Sequence, residues 1–197
     1  MKTRRTLATL VVAVLLGGCG DDAAITNAVK EQLKDPGSAQ FKKVTISQSG
    51  QLACVVWNAK NSLGGYDDWK TATLEKGLHN SSWKIENLDV AAFNCNKSDL
   101  DKLAELKLHV RRMSLRFDKE EERKATKIAA KKGVTYADVD RMTLVADSAC
   151  GPEYRDIAIQ LHDANIAIKK GSLDNARAIA DALSQRIVNF EKATCHN

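Results

Sequence analysis

Cysteine is the residue type in this 197-residue chain with the most chemistry to offer, and there are five, at 19, 54, 95, 150 and 195. As thiolates they could bind metal or attack a substrate; oxidised in pairs they staple a fold, and an odd count leaves one over for another use. The histidines, His79, His109, His162 and His196, are scattered along the chain. Beside oxidised cysteines they make no zinc set, because zinc needs the thiolate. Glu120-Glu121-Glu122 offers carboxylates for acid–base work, but adjacent helix residues point in different directions, so a solvated face is expected there. The sequence has no His-Glu-x-x-His, no nucleophile elbow and no phosphate-cradling glycine loop. The expectation is a non-enzymatic chain without cofactor or metal. One cluster remains, Trp57, Tyr66, Trp69 and Trp83, with Asn58, Lys60 and Asn61 close by. Aromatic faces stack on sugar rings, which makes Trp57, Asn58, Lys60, Asn61, Tyr66 and Trp69 a candidate site for binding or cleaving glycan, peptidoglycan included. The same rings could instead fill the core of a small domain, and the polar residues could serve turns.

The N-terminus carries an address. Lys2, Arg4 and Arg5 precede an apolar run from Leu7 to Leu16, closed by Leu16-Gly17-Gly18-Cys19. About ten apolar residues rise only ~15 Å as a helix, half a bilayer core, too short to span. A charged start, a short apolar centre and small residues before a cut describe a secretion signal over residues 1–18. Its end resembles the lipobox of bacterial lipoproteins, in which small residues enter a narrow peptidase site and the cysteine takes a diacylglycerol. The resemblance implies that Cys19 is the lipidated N-terminus of a mature chain anchored in the bacterial envelope, facing the periplasm or the exterior. Gly20, not Asp, follows Cys19, which inclines the address toward the outer membrane. The formal charge of +5 shrinks to +2 once the three signal cations are gone, so there is no case for nucleic acid.

With Cys19 assigned to lipid, Cys54, Cys95, Cys150 and Cys195 remain in a compartment where disulfides persist. The elements that position them divide the mature chain in two: an α+β part, 19–97, and an all-helical part, 98–197. In the first, Asp21 or Asp22 can cap a helix with Ile25, Ala28, Val29 and Leu33 at helical spacing. Asp35-Pro36-Gly37 stops it. Strand character follows at 43–47, at 52–57 with Leu52, Cys54 and Val56 on one face, at 68–74, and at Trp83 and Ile85. Within this part, 33–41 (LKDPGSAQF) and 58–66 (NAKNSLGGY) resemble a recurring domain of small bacterial and phage-associated envelope proteins. Those carry "KDPxSAxF", a Cys-bearing strand and "NAKNSxGGY"; Val55 stands where they usually have glycine. The resemblance implies an exported α+β module and carries no established activity.

From 98 onward the spacing is helical throughout. Ser98 can cap a helix with Leu100, Leu103, Leu106, Val110, Met113 and Phe117 on one stripe, ending at Lys131-Lys132-Gly133; if continuous it is about 50 Å long. Thr135 can cap a second through Val139, Met142, Val145 and Ala149, kinked or broken at Gly151-Pro152 before continuing to 169. Ser172 caps a third, with Ala176, Ile179, Leu183, Ile187 and Phe190 inward. The 128–139 stretch resembles the turn of a helix-turn-helix DNA reader, but behind a secretion signal it cannot meet the chromosome. The cations Arg111, Arg112 and Arg116 suggest a solvated face, or else contact with anionic lipid or an acidic partner. In the hairpin made by the last two helices, the midpoint of 150 and 195 falls in the Gly171-Ser172 turn. Cys150 and Cys195 should therefore lie level and pair, leaving Cys54 to Cys95. The expected architecture is a small α+β domain followed by a helical hairpin or three-helix bundle.

Overall fold

Leu52-Ala-Cys-Val-Val-Trp-Asn58 is apolar at both alternating sets of positions, and the strand it forms is covered on both faces. In the computed structural model this strand, β2 (Leu52–Asn58), lies between β1 (Gln40–Ile46) and β3 (Lys70–Lys76), with β4 (Trp83–Asn87) beyond. All neighbours are antiparallel, in the order β1-β2-β3-β4. The structure describes residues 19–77, 80–90, 93–134 and 140–195. The expected signal, His79, His196 and the Thr135 cap lie outside them.

One face of the sheet carries α1 (Cys19–Lys30). Ile25 and Val29 are fully buried against Ala53, Val55, Trp57, Ala72, Leu74 and Trp83. Asp21 does not act as the expected cap, because the helix already begins at Cys19. Its carboxylate instead accepts from Lys76 Nζ (3.1 Å) and Trp83 Nε1 (3.2 Å), tying the start of α1 to the adjoining ends of β3 and β4. A 3-10 turn at Pro36–Ser38 then leads into β1.

The other face receives α2 (Lys97–Lys132), unbroken for 36 residues and so about 54 Å long. Asn96, not Ser98, caps it, with Asn96 Oδ1 accepting from Asp99 N at 2.7 Å. Gly133, at φ 67°, ends it in the left-handed conformation that favours glycine. Three further helices pack on α2: α3 (Arg141–Ala146), α4 (Gly151–Lys169) and α5 (Leu173–Lys192). Of the kink or break expected at Gly151-Pro152 the chain makes the break, since α3 closes at Asp147 and α4 opens only at Gly151. The chain folds back tightly there. A Cβ on Gly151 would stand 1.9 Å from the Ala146 carbonyl oxygen.

The sheet and the helices share one core. Leu52, Cys54, Val90, Phe93 and Cys95 join Leu100, Leu103 and the rest of the helical stripe as far as Phe190. The α4–α5 turn returns to the sheet: Asn87 Nδ2 donates to the Lys169 carbonyl (3.0 Å), and Gly171 lies against Val90 and Phe93. Cys54–Cys95 (Cα–Cα 5.4 Å) closes this sheet end, and Cys150–Cys195 (5.2 Å) closes the far end. The expected solvated triple of glutamates is corrected by the packing: Glu120 and Glu121 are buried and only Glu122 is exposed. Glu120 pairs with Arg123 and Lys124. Glu121 accepts from the Tyr154 hydroxyl and pairs with Arg141.

Candidate functional site

The six residues of the candidate glycan site are brought to one end of the sheet, but most are occupied there. Trp57 is a core residue whose Nε1 donates to the Leu88 carbonyl at 3.0 Å, so its ring offers no open face. Asn58 is buried and donates to the Asp67 carbonyl (2.7 Å). Asn61 organises the 61–67 loop, donating to Asp67 Oδ1 and accepting from the backbone N–H groups of Leu63 and Gly65. Ser38 joins the two motif segments: its hydroxyl accepts from Lys60 N (2.9 Å) and its carbonyl from the Tyr66 hydroxyl (3.2 Å). The paired motifs are thus a structural clasp. Tyr66 and Trp69 are the two rings left exposed, and Lys42 Nζ sits over Trp69 at 3.9 Å from the ring centre. Trp83 belongs to the α1 face.

The larger concavity lies elsewhere. Where the β1–β2 turn meets α2, an open groove of about 770 Å3 is lined by Gln51, Leu52, Ala104, Leu108, Val110 and Arg111, among others. One wall is the turn, fixed by Gln48 N donating to Asp101 Oδ1 at 2.6 Å. Lys107 closes the floor, donating to Glu75 Oε2 at 2.9 Å and also to Glu86. Burial pushes the Glu75 carboxyl up, but the Lys107 hydrogen bond, the Lys107 charge, a hydrogen bond with Glu86 and the field of Arg111 outweigh it and hold it below the ordinary range. Glu75 is therefore an ionised counter-ion. Arg111 itself has no hydrogen bond or ion pair among the described residues.

Leu108 and Leu115 are 48% and 61% exposed and, seven residues apart, share one side of α2. With Ala104 and Arg111 they make a second stripe beside the buried one. Sequence reasoning followed the buried stripe and passed over this one. The signal was available: leucines seven apart, off the core face, with an arginine between them. The groove also shares an end of the sheet with the start of α1, since Lys76 both holds Asp21 and donates its backbone N–H to the Gln51 carbonyl (2.8 Å). Among the described residues no three His, Cys, Asp or Glu side chains gather as a metal site, and no described helix is long and apolar enough to cross a membrane. No family model, no curated protein and no solved structure matches the chain.

Proposed function

We propose that the chain is a lipid-anchored, non-enzymatic binding protein of the cell envelope whose ligand surface is the groove between the β1–β2 turn and α2. The observation that carries this reading is Leu108, half exposed in the wall of a cavity of about 770 Å3, within the size range of ligand sites. The polar groups around it favour binding over catalysis. Of the three carboxylates in the groove's lining, Glu75 is neutralised by Lys107 and Asp101 accepts from the Gln48 N–H, so these two are not poised for proton transfer; Glu105 is the third. Among the described residues Arg111 is the cation of the wall without a hydrogen bond or ion pair, left for a ligand carboxylate. The occupant that fits is a segment of another envelope protein presenting an apolar side chain to Leu108 and an acidic one to Arg111. Lipidation at Cys19, which rests on the lipobox resemblance, would hold this end of the sheet toward the membrane.

A second reading, binding of glycan, retains the exposed Tyr66 and Trp69 at the opposite end of the sheet. Photo-cross-linking in intact cells separates the two. With the cross-linking residue at position 108, a discrete protein adduct is expected, and Arg111→Glu should diminish it. Adducts to peptidoglycan from position 69, with none from position 108, would replace the groove by the aromatic loop.

A further inference from the structure

The two disulfides sit in opposite surroundings. Cys54 and Cys95 have no exposed surface; they are sealed between the sheet and α2, with the Thr45 hydroxyl donating to the Cys95 carbonyl at 2.8 Å. In the other bridge Cys150 is buried and only Cys195 reaches the surface. Cys195 is partly exposed and lines a cavity of about 240 Å3 at the far end of the bundle. Lys127, Lys131 and Lys192 line the same cavity and have no hydrogen bond or ion pair among the described residues. A fourth cation, Lys124, is 3% exposed and donates to the Ala193 carbonyl at 2.5 Å, fixing the segment that presents Cys195. Glu191 is the one carboxylate of this lining, and it is already bound by Arg116 through two of that guanidinium's nitrogens.

We infer that Cys150–Cys195 is a site of thiol–disulfide exchange, and that its co-substrate is a dithiol whose attacking thiolate the lysine-lined cavity attracts. Thiolates are the attacking species in such exchange, and accessible disulfides are the labile ones. Clustered positive charge raises the local concentration of an anion and favours the charged form of a thiol. The incoming thiolate attacks the Sγ of Cys195, the less buried of the two cysteines, and forms a mixed disulfide. The Cys150–Cys195 bond breaks, and its electron pair leaves on Cys150 Sγ. The dithiol's second thiol, as its thiolate, then attacks the mixed disulfide at the dithiol's own sulfur and releases the Cys195 thiolate. The protein gains two electrons and the dithiol becomes a disulfide. A dithiol oxidoreductase of an oxidising compartment is the class of partner with this chemistry. Nothing in this inference depends on the groove.

The test uses the whole oxidised chain under native conditions, with alkylation and mass mapping of each cysteine over time. Dithiothreitol should expose Cys150 and Cys195 at least roughly tenfold faster than Cys54 and Cys95. Charge is tested separately by comparing glutathione, a net anion, with cysteamine, a cation. Lys127→Glu with Lys131→Glu should slow glutathione and not cysteamine, lowering the ratio of the two rates roughly tenfold. Reduction of both bridges at one rate, or a glutathione-to-cysteamine ratio untouched by the two substitutions, would overturn the inference. The second readout does not depend on accessibility, so mere surface exposure of the bridge cannot reproduce it.

Discussion

The Tyr154 hydroxyl donates a 3.0 Å hydrogen bond to Glu121 Oε2 inside the helical bundle, where the Tyr154 ring also stacks on Phe117 with centroids 5.3 Å apart. Arg141 Nε approaches the other carboxylate oxygen at 2.9 Å, as an ion pair outside hydrogen-bond alignment. A buried carboxylate is thus shared by α2, α3 and α4, the three elements that meet near the Cys150–Cys195 end.

Burial raises the Glu121 carboxyl above its ordinary value of 4.5, and the lowering effects of Tyr154 and Arg141 do not offset it. A carboxyl raised in the folded chain binds its proton more tightly there than in the unfolded chain. The associated stability is complete below the unfolded value and is lost as pH climbs through the folded value. Glu121→Gln is neutral at every pH and should escape that loss. Denaturant titrations from about pH 4 to about pH 8 should show the variant gaining on the parent as pH rises. A constant difference across the range would mean that Glu121 titrates normally. Tyr154→Phe, which leaves the carboxylate without its neutral donor, should cost about 1–3 kcal/mol.

Gly171 is the point where the bundle touches the segment leaving the sheet. Its φ is 71°, and a Cβ there would lie 2.9 Å from Val90 Cγ1. Gly171→Ala therefore meets two penalties, a left-handed backbone costing about 1–2 kcal/mol for a residue with a Cβ and a contact that Val90 must relieve. Because the core runs unbroken from Leu52 to Phe190, the loss should appear as one cooperative transition at lower temperature. Two separate calorimetric transitions would show that the sheet and the bundle unfold independently.

The periodicities of 2 and 3.6 in the sequence contained most of the elements. The strand positions of Cys54 and Trp83 and the helical stripe from Leu100 to Phe117 could be read directly, while the charged stretch after Phe117 leaves open in the sequence whether the helix continues to Lys132. Cys150 and Cys195 could be placed level because both helices of the hairpin are regular, so residue counts convert to length. The joining of the halves was less legible. β2 shows it, since Ala53, Val55 and Trp57 are as apolar as Leu52, Cys54 and Val56, and a strand apolar on both faces must be covered twice. Alternation searches for one face and discards that information. The groove was hidden for a related reason: it is formed by side chains 60 residues apart in sequence, such as Gln51 and Arg111, which no local pattern brings together. Glu120 and Glu121 depart from the solvated face expected of them because a run of charges marks solvent only when no partner arrives. Here Lys124, Tyr154 and Arg141 do.

Ser38 gives the paired motifs a measurable role. Its hydroxyl donates to the Asp35 carbonyl (3.0 Å) and accepts from Lys60 N (2.9 Å). Ser38→Ala removes both bonds and should cost about 1–2 kcal/mol, with amide exchange at Lys60 accelerated first. Tyr66→Phe removes only the bond to the Ser38 carbonyl and should cost less, because that carbonyl is near the surface and can turn to water. If Tyr66→Phe were the more damaging of the two, the clasp would depend on the ring rather than on the serine.

The proposed anchor can be tested through α1, whose start lies at the groove's end of the sheet. α1 starts at Cys19, and Asp21 is bound to Lys76 and Trp83, so a lipid on Cys19 would have only Gly20 between it and a residue fixed to the sheet. Such a short tether would hold the sheet end bearing Gln51 and Lys76 against the membrane, with the 61–69 loop directed away. Cys19→Ser should abolish labelling by a clickable fatty acid and move the protein from the detergent phase to the aqueous phase. In the anchored wild type on intact membranes, a cysteine-free labelling chemistry such as lysine acylation should modify Lys60, at the far end of the sheet, faster than Lys76. Loss of anchoring should raise the Lys76 rate and leave that of Lys60 unchanged. Part of the low Lys76 rate belongs to its ion pair with Asp21, so the informative quantity is the change on Cys19→Ser, which preserves that pair. Equal detergent partitioning of mutant and wild type would remove the lipid from the account. Lost partitioning with no change at Lys76 would keep the lipid but show that the sheet stands clear of the bilayer.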